Sequence, residues 1–138
     1  MYVAWSAINR SALVRIPAAR GMSTRTEVRN PDPTCNPYLA FAMMLNSGLD
    51  GVKNKLEAPR SVDVDIFKMT PADKEAAGID SMPANLEEAI LVLKENPIAR
   101  ETLGDHIFEK YIEGKIQEWD SYRTAVTDWE IASYLRNY

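Results

Sequence analysis

The stretch STRTEVRNPDPTCNPYLAFAMML, residues 23–45, decides the fold because its pattern changes from that of a strand to that of a helix. Arg25, Glu27 and Arg29 occupy alternate positions, so the sequence predicts that they project from one face of a strand. That strand must end within residues 30–33, NPDP, because two prolines remove backbone donors from the sheet ladder.

A helix is predicted immediately after this strand. Asn36 is a favourable N-cap residue, and Pro37 is favoured in the first turn of a helix. The pattern predicts a helix from Tyr38 to about Lys55, with a first half that is apolar on nearly all sides. All-round hydrophobicity is typical of a buried helix.

Two further strands are predicted upstream, over residues 2–8 and 12–17, because both stretches are rich in β-branched and aromatic residues. Residues 9–11, Asn-Arg-Ser, separate the two as a turn, so the pair is expected to form an antiparallel hairpin. The sequence therefore predicts antiparallel strands over about residues 2–30.

Downstream of the long helix, the sequence predicts a surface loop over residues 56–67 and then only helices, with helical structure over about residues 37–138. The fold class is therefore α+β, with strands at the N-terminus and a helical C-terminal half. Capping signals that begin the later helices occur at Thr70, Asn85, Asn96 and Thr127, and the last helix is predicted to run to Leu135.

Three strands with one charged face make a small sheet that cannot cover an apolar helix. The strand pattern also begins at Tyr2 with no turn residue ahead of it. We therefore expect the chain to be cut from a longer one, with the covering elements in that chain or in another subunit. Its length suits one domain at most.

Charge is distributed unevenly along the 138 residues. The first 30 residues hold five arginines and one glutamate, whereas the rest of the chain holds 11 basic and 19 acidic residues. A pI near 5.0 argues against a general nucleic-acid binder, since such proteins need a basic face. The local positive charge instead indicates a site for small anions. The alternative is that these arginines are ordinary surface charges with no binding role.

Composition also bears on the cellular location. The single cysteine, Cys35, excludes an intrachain disulfide and suits a reducing compartment, where it is expected to serve as a small apolar residue. The sequence has no signal-peptide pattern and no run of about 20 apolar residues. We therefore expect a soluble cytoplasmic protein with no membrane partner.

Several short motifs occur in a characteristic order and spacing. They are NRS at residues 9–11, RIP at 15–17, STR at 23–25, EVRNPDP at 27–33, NPYL at 36–39, GLDGVKNK at 48–55, GDHIFE at 104–109 and WDSYR at 119–123. Over essentially its whole length, the chain resembles the C-terminal part of the catalytic domain of type I (bacterial) glutamine synthetase.

The resemblance implies an ATP-dependent glutamate–ammonia ligase of nitrogen metabolism. Such an enzyme phosphorylates the side-chain carboxylate of glutamate and lets ammonia displace the phosphate from γ-glutamyl phosphate. It implies ATP as co-substrate, Mg²⁺ or Mn²⁺ as the metal, and a homo-oligomer, which for the full-length family is a dodecamer. No nucleic-acid partner is implied.

By family position, three arginines are implied to bind the reacting groups. Arg10 and Arg15 should contact the transferring phosphoryl group, whose developing negative charge arginine can stabilise. Arg29 should hold the α-carboxylate of glutamate, because a guanidinium can pair with both carboxylate oxygens.

The remaining implied site residues lie on the metal and nucleotide side. Glu27 should ligate the metal that bridges the nucleotide phosphates, and Arg25 and Arg20 should lie beside the nucleotide. An alternative for Glu27 is simple pairing with Arg25 or Arg29 along the strand, and a lone carboxylate is a poor Mg²⁺ site.

One departure from the family pattern concerns regulation. Many bacterial relatives carry a tyrosine in the loop after the long helix that is modified by adenylylation, whereas residues 63–67 here read DVDIF and place Phe67 at that position. The sequence therefore predicts no adenylylation at this position. The sequence of residues 55–59, KLEAP, instead resembles the branch of the family that is controlled by glutamine feedback and by regulatory proteins.

The resemblance also implies that most metal ligands of the family lie outside this chain. We therefore expect a fragment that is inactive by itself. Two alternatives stay open: a non-catalytic short chain that associates with full-length glutamine synthetase, and an independent anion-binding module.

Overall fold

The computed structural model describes residues 1–135, which fall into two compact units. The first unit, Met1–Ala84, contains a four-stranded sheet and two α-helices. The second unit begins at Asn85 and contains three α-helices within the described residues.

The strands are β1 Tyr2–Ser6, β2 Ala12–Arg15, β3 Glu27–Val28 and β4 Asp80–Ser81, and their order in the sheet is β3-β2-β1-β4. The β2–β3 and β1–β4 pairs are antiparallel, whereas β1 and β2 run parallel. The buried residues of this unit are Ser6, Ala12, Pro17, Ile66 and Ile79.

The antiparallel hairpin predicted for residues 2–17 is wrong. Tyr2 pairs with Ala12 and Ser6 with Arg15, so the two strands point the same way. The reason is the connection: the buried Ser6 hydroxyl accepts hydrogen bonds from the backbone N–H groups of two loop residues, at 3.2 and 2.9 Å. The loop therefore turns back beside β1 instead of closing a tight hairpin, and β2 starts again at the same end.

The first unit also contains α1, Pro37–Lys53, and α2, Pro71–Ala76. Their predicted starts are confirmed, because the side chain of Asn36 caps α1 and that of Thr70 caps α2. Helix α1 has no buried residue, which agrees with the expectation that the small sheet of this chain cannot cover it. Cys35, predicted to serve as a small apolar residue, is exposed.

The second unit contains α3, Leu86–Lys94, α4, Pro97–Arg123, and α5, Asp128–Tyr134. Helix α4 is interrupted at Gly104, where φ is 70° and ψ is 155°. Helices α3 and α4 pack on each other, and the buried side chains of the unit are Ile90, Ala99, Phe108 and Ile112. Any helix beyond residue 135 lies outside the described residues.

The predicted α+β class is confirmed, with a small sheet followed by helices. The sheet is mixed where wholly antiparallel strands were expected, and β4 was missed because its two residues carry no strand pattern. Within residues 1–135, no helix is both long enough and apolar enough to cross a membrane.

Candidate functional site

A cluster of two arginines around one carboxylate lies where β2 pairs with β3. The register of this pair places Arg15 opposite Glu27, and the Arg15 guanidinium lies 3.1 Å from Oε2 of Glu27. Arg25, two residues before Glu27, donates to Oε1 from Nε at 2.9 Å and from NH2 at 2.8 Å. Both carboxylate oxygens therefore accept from guanidinium groups, and the cluster keeps an excess of positive charge.

Hydrogen bonding in this cluster lowers the pKa of Glu27 below its ordinary value of 4.5. The largest cause is the hydrogen bond from Arg25; desolvation opposes it, and the positive charges of Arg15 and Arg25 add to the lowering. The side chain of Glu27 is 29% exposed and that of Arg15 is 34% exposed, so both side chains are accessible to solvent. Nε of Arg15 is buried and has no hydrogen-bond partner among residues 1–135.

Arg10 and Arg29 meet at a second point. The guanidinium of Arg29 donates to the backbone carbonyl of Arg10, and the backbone N–H of Arg29 donates to the carbonyl of Leu13 at 3.0 Å. The turn after β1 is thereby tied to the end of β3. Arg10 is exposed and lines an open groove of about 500 Å³ together with Ile8, Asn9, Ser11, Asp63, Asp65 and Phe67.

Arg20 is placed apart from these two pairs. Its guanidinium donates to the carbonyls of Pro17 and Ala19, at 2.8 and 3.0 Å, and so folds onto its own loop. The structure therefore brings Arg15, Arg25 and Glu27 together and connects Arg10 with Arg29. Among the contacts of the described chain, none joins Arg20 to either group.

A complete divalent-metal site is not formed by the residues described. Residues 1–135 contain no group of three or more histidine, cysteine, aspartate or glutamate side chains that could hold a metal ion. Glu27 would supply one carboxylate, and its two oxygens are occupied by Arg15 and Arg25. Mg²⁺ requires six oxygen ligands, so the described residues do not fit the metal by themselves.

Sequence reasoning missed a polar network under the groove. The hydroxyl of Ser6, which is fully buried, donates to Oδ1 of Asp63 at 2.6 Å. This hydrogen bond is the largest cause that lowers the pKa of Asp63. Asn9 donates from its side chain to the carbonyls of Val62 and Val64. The residues lie more than 50 positions apart, so no local pattern could have revealed the contact.

The fold and these groups define an α+β domain whose strand ends carry an arginine-rich, anion-attracting site. The family model described as glutamine synthetase, catalytic domain, matches residues 1–134. The chain therefore belongs to the glutamine synthetase catalytic-domain family.

Curated relatives agree with this assignment. The chain is 52% identical over 138 residues to the glutamine synthetase of Clostridium saccharobutylicum, which covers all of this chain and 31% of that protein. It is 58% identical over 134 residues to the glutamine synthetase of Methanococcus maripaludis, which covers 97% of this chain and 30% of that protein. The chain thus spans about 30% of the length of these relatives.

A solved structure described as apo GmaS without ligand has the same fold. It superimposes with a TM-score of 0.76 at 31% sequence identity, and the match covers 92% of this chain and 28% of that chain. The match supports the α+β arrangement of this chain.

Proposed function

We propose that this chain is the C-terminal part of the catalytic domain of a type I glutamine synthetase, an ATP-dependent glutamate–ammonia ligase. The observation that carries the proposal is the family match over residues 1–134 together with the clustering of Arg15, Arg25 and Glu27 across the β2–β3 ladder.

The proposed reaction has two steps that both concentrate negative charge. A γ-carboxylate oxygen of glutamate attacks the γ-phosphorus of ATP and ADP leaves; ammonia then attacks the γ-carbonyl carbon, loses a proton, and phosphate leaves. Arg10 and Arg15 would stabilise the transferring phosphoryl group. Arg29 would pair with the α-carboxylate of glutamate and so fix its orientation.

Glu27, Arg25 and Arg20 would serve the metal and nucleotide side. Glu27 would contribute one carboxylate to a Mg²⁺ or Mn²⁺ site whose other ligands come from outside this chain, and Arg25, now paired with Glu27, would turn toward the nucleotide. Such a metal neutralises phosphate charge when bound. Because the ligand set is incomplete, we expect the isolated chain to form no glutamine.

We further propose that the full-length protein is a cytoplasmic homo-oligomer, as the family resemblance implies. The exposed apolar helix α1 supports packing against protein outside this chain.

A graft tests the proposed function directly. The 134 matched residues replace the corresponding segment of the Methanococcus maripaludis relative, and ATP-dependent glutamine formation is measured. We expect an active chimera, with Arg29→Ala raising the KM for glutamate by about 100-fold, because a charge-assisted bidentate contact is lost. An inactive but folded chimera contradicts the proposal, and glutamine formation by the isolated chain contradicts its expected inactivity.

The exposed apolar surface of α1 also favours a second candidate: a natural short chain that binds full-length glutamine synthetase. The intact mass of the natural polypeptide with this C-terminus distinguishes the two. A mass well above 15.5 kDa supports the part of a longer enzyme. A mass of 15.5 kDa, with co-purification of the full-length enzyme, supports the associating short chain.

A further inference from the structure

The loop that carries Arg10 is held by side chains on both sides of it. The amide of Asn9 uses its full capacity: Oδ1 accepts from the backbone N–H and the hydroxyl of Ser11 at 2.9 and 2.7 Å, and Nδ2 donates to the carbonyls of Val62 and Val64 at 3.1 and 2.5 Å. The two residues that flank Arg10 are therefore fixed to each other and to residues 62–64.

Asp63 fixes the start of the same loop. Its Oδ1 accepts from the Ser6 hydroxyl at 2.6 Å. Ser6 in turn accepts from the backbone N–H groups of Ile8 and Asn9, so its single hydroxyl makes all three hydrogen bonds available to it. Ser6 is buried and its hydrogen bonds are fully satisfied, so this network favours one conformation of the loop.

Residues 59–66 lie along β1 and its loop by further contacts. The Trp5 indole donates to the carbonyl of Pro59 at 2.7 Å, and the backbone N–H of Val62 donates to the carbonyl of Trp5 at 2.9 Å. At the other end, the backbone N–H of Ile66 donates to the hydroxyl of Ser11 at 3.4 Å. This segment therefore contacts the polypeptide before, within and after the Arg10 loop.

We infer that Asn9 and Asp63 are positioning residues for Arg10. They clamp the backbone on either side of Arg10 onto residues 59–66 and so fix the position of this exposed residue at the groove that it lines. The inference rests on the proposed function, in which Arg10 contacts the transferring phosphoryl group. It adds that residues 59–66, about 50 positions further along the chain, hold the loop that carries Arg10.

The test uses the active chimera and a matched set of variants. Asp63→Ala removes the clamp, Asp63→Asn keeps an oxygen that can accept from Ser6, and Ser61→Ala removes only the 3.0 Å hydrogen bond from Ser61 to Oδ2 of Asp63. We expect Asp63→Ala to lower kcat about tenfold with the KM for glutamate within about twofold. Asp63→Asn should restore most of the loss, and Ser61→Ala should leave kcat unchanged.

A double-mutant cycle with Arg10→Ala separates positioning from a merely structural role. If Asp63 acts through Arg10, Asp63→Ala changes kcat by less than about twofold once Arg10 is absent. An equal tenfold loss in both backgrounds overturns the inference. So does a kcat unaffected by Asp63→Ala in the parent.

Hydrogen exchange gives a readout that does not depend on turnover. In Asp63→Ala, the backbone amides of Ile8 and Asn9 should exchange about tenfold faster, with no change in Ser61→Ala. Unchanged exchange in Asp63→Ala overturns the clamp even if the chimera is active. An inactive but folded chimera that shows the expected exchange contradicts the proposed function and leaves the clamp supported.

Discussion

Glu27 lies between two guanidinium groups, and its charge state is therefore coupled to folding. Its folded pKa is lower than its ordinary value of 4.5, so the folded state binds fewer protons than the unfolded state near this pH. The stability that Glu27 contributes is fully present above about pH 4.5 and is lost as the pH falls through the lower, folded pKa.

We therefore predict that Glu27→Gln flattens the acid side of the stability profile. Urea unfolding of the chain between pH 3 and pH 7 should show a smaller loss of unfolding free energy in the variant than in the parent. Glu57→Gln removes a charge from an exposed glutamate outside the cluster and is the control. Identical pH profiles for the parent and Glu27→Gln would contradict the coupling.

Part of this cluster could be predicted from the sequence and part could not. Alternation along one strand places Arg25 and Glu27 on the same side, and their contact follows from local geometry. The contact between Arg15 and Glu27 depends on the β2–β3 register, which is a relation between separate segments. The sequence alone therefore could not predict that Arg15 and Glu27 are in contact.

At the scale of elements, the starts of helices were the most predictable features. Asn36, Thr70 and Thr127 all cap helices as their side chains predict, because a cap depends on atoms within three residues. The direction of β2 was not predictable in this way. The Ser6 hydroxyl turns the preceding loop back beside β1, and hydrogen bonds from Asn9 to residues 62–64, far along the chain, also hold that loop.

The interruption of α4 leads to a prediction in which two glycines of one helix behave oppositely. Gly104 has a φ of 70° and a ψ of 155°, a region almost closed to residues with a Cβ, whereas Gly114 has helical backbone angles. A Cβ at either position meets no atom within 4 Å, so packing does not distinguish them.

Backbone conformation alone should therefore decide whether alanine stabilises or destabilises the protein at each position. Gly104→Ala should destabilise the protein by about 1–3 kcal/mol, and Gly114→Ala should stabilise it by about 1 kcal/mol. Thermal or urea unfolding of the two variants measures both effects. Stabilisation by Gly104→Ala would show that α4 runs through residue 104 without the observed interruption.

For the whole molecule, the exposure of α1 follows from how little surface the first unit offers to cover it. The sequence correctly shows an apolar helix, but burial also requires a surface to cover it, and the described residues of the first unit form a sheet of only four short strands. The exposed apolar residues recur at steps of three and four, namely Tyr38, Phe41, Leu45, Leu49 and Val52. They form one continuous apolar stripe.

An uncovered stripe of this kind should make the isolated chain self-associate. Phe41 and Leu45 are 68% and 65% exposed, so replacing both by glutamate should remove association while changing the free energy of unfolding little. Sedimentation velocity over a range of concentrations measures the effect.

The matched control is Ser47→Glu with Lys53→Gln, which changes the net charge by the same amount on the same helix but leaves the apolar stripe intact. If the control suppresses association as strongly as the Phe41→Glu, Leu45→Glu pair, general charge repulsion is the cause. Loss of association in the stripe variant alone means that these apolar side chains form the contact surface, as expected for an apolar helix that the described residues leave uncovered.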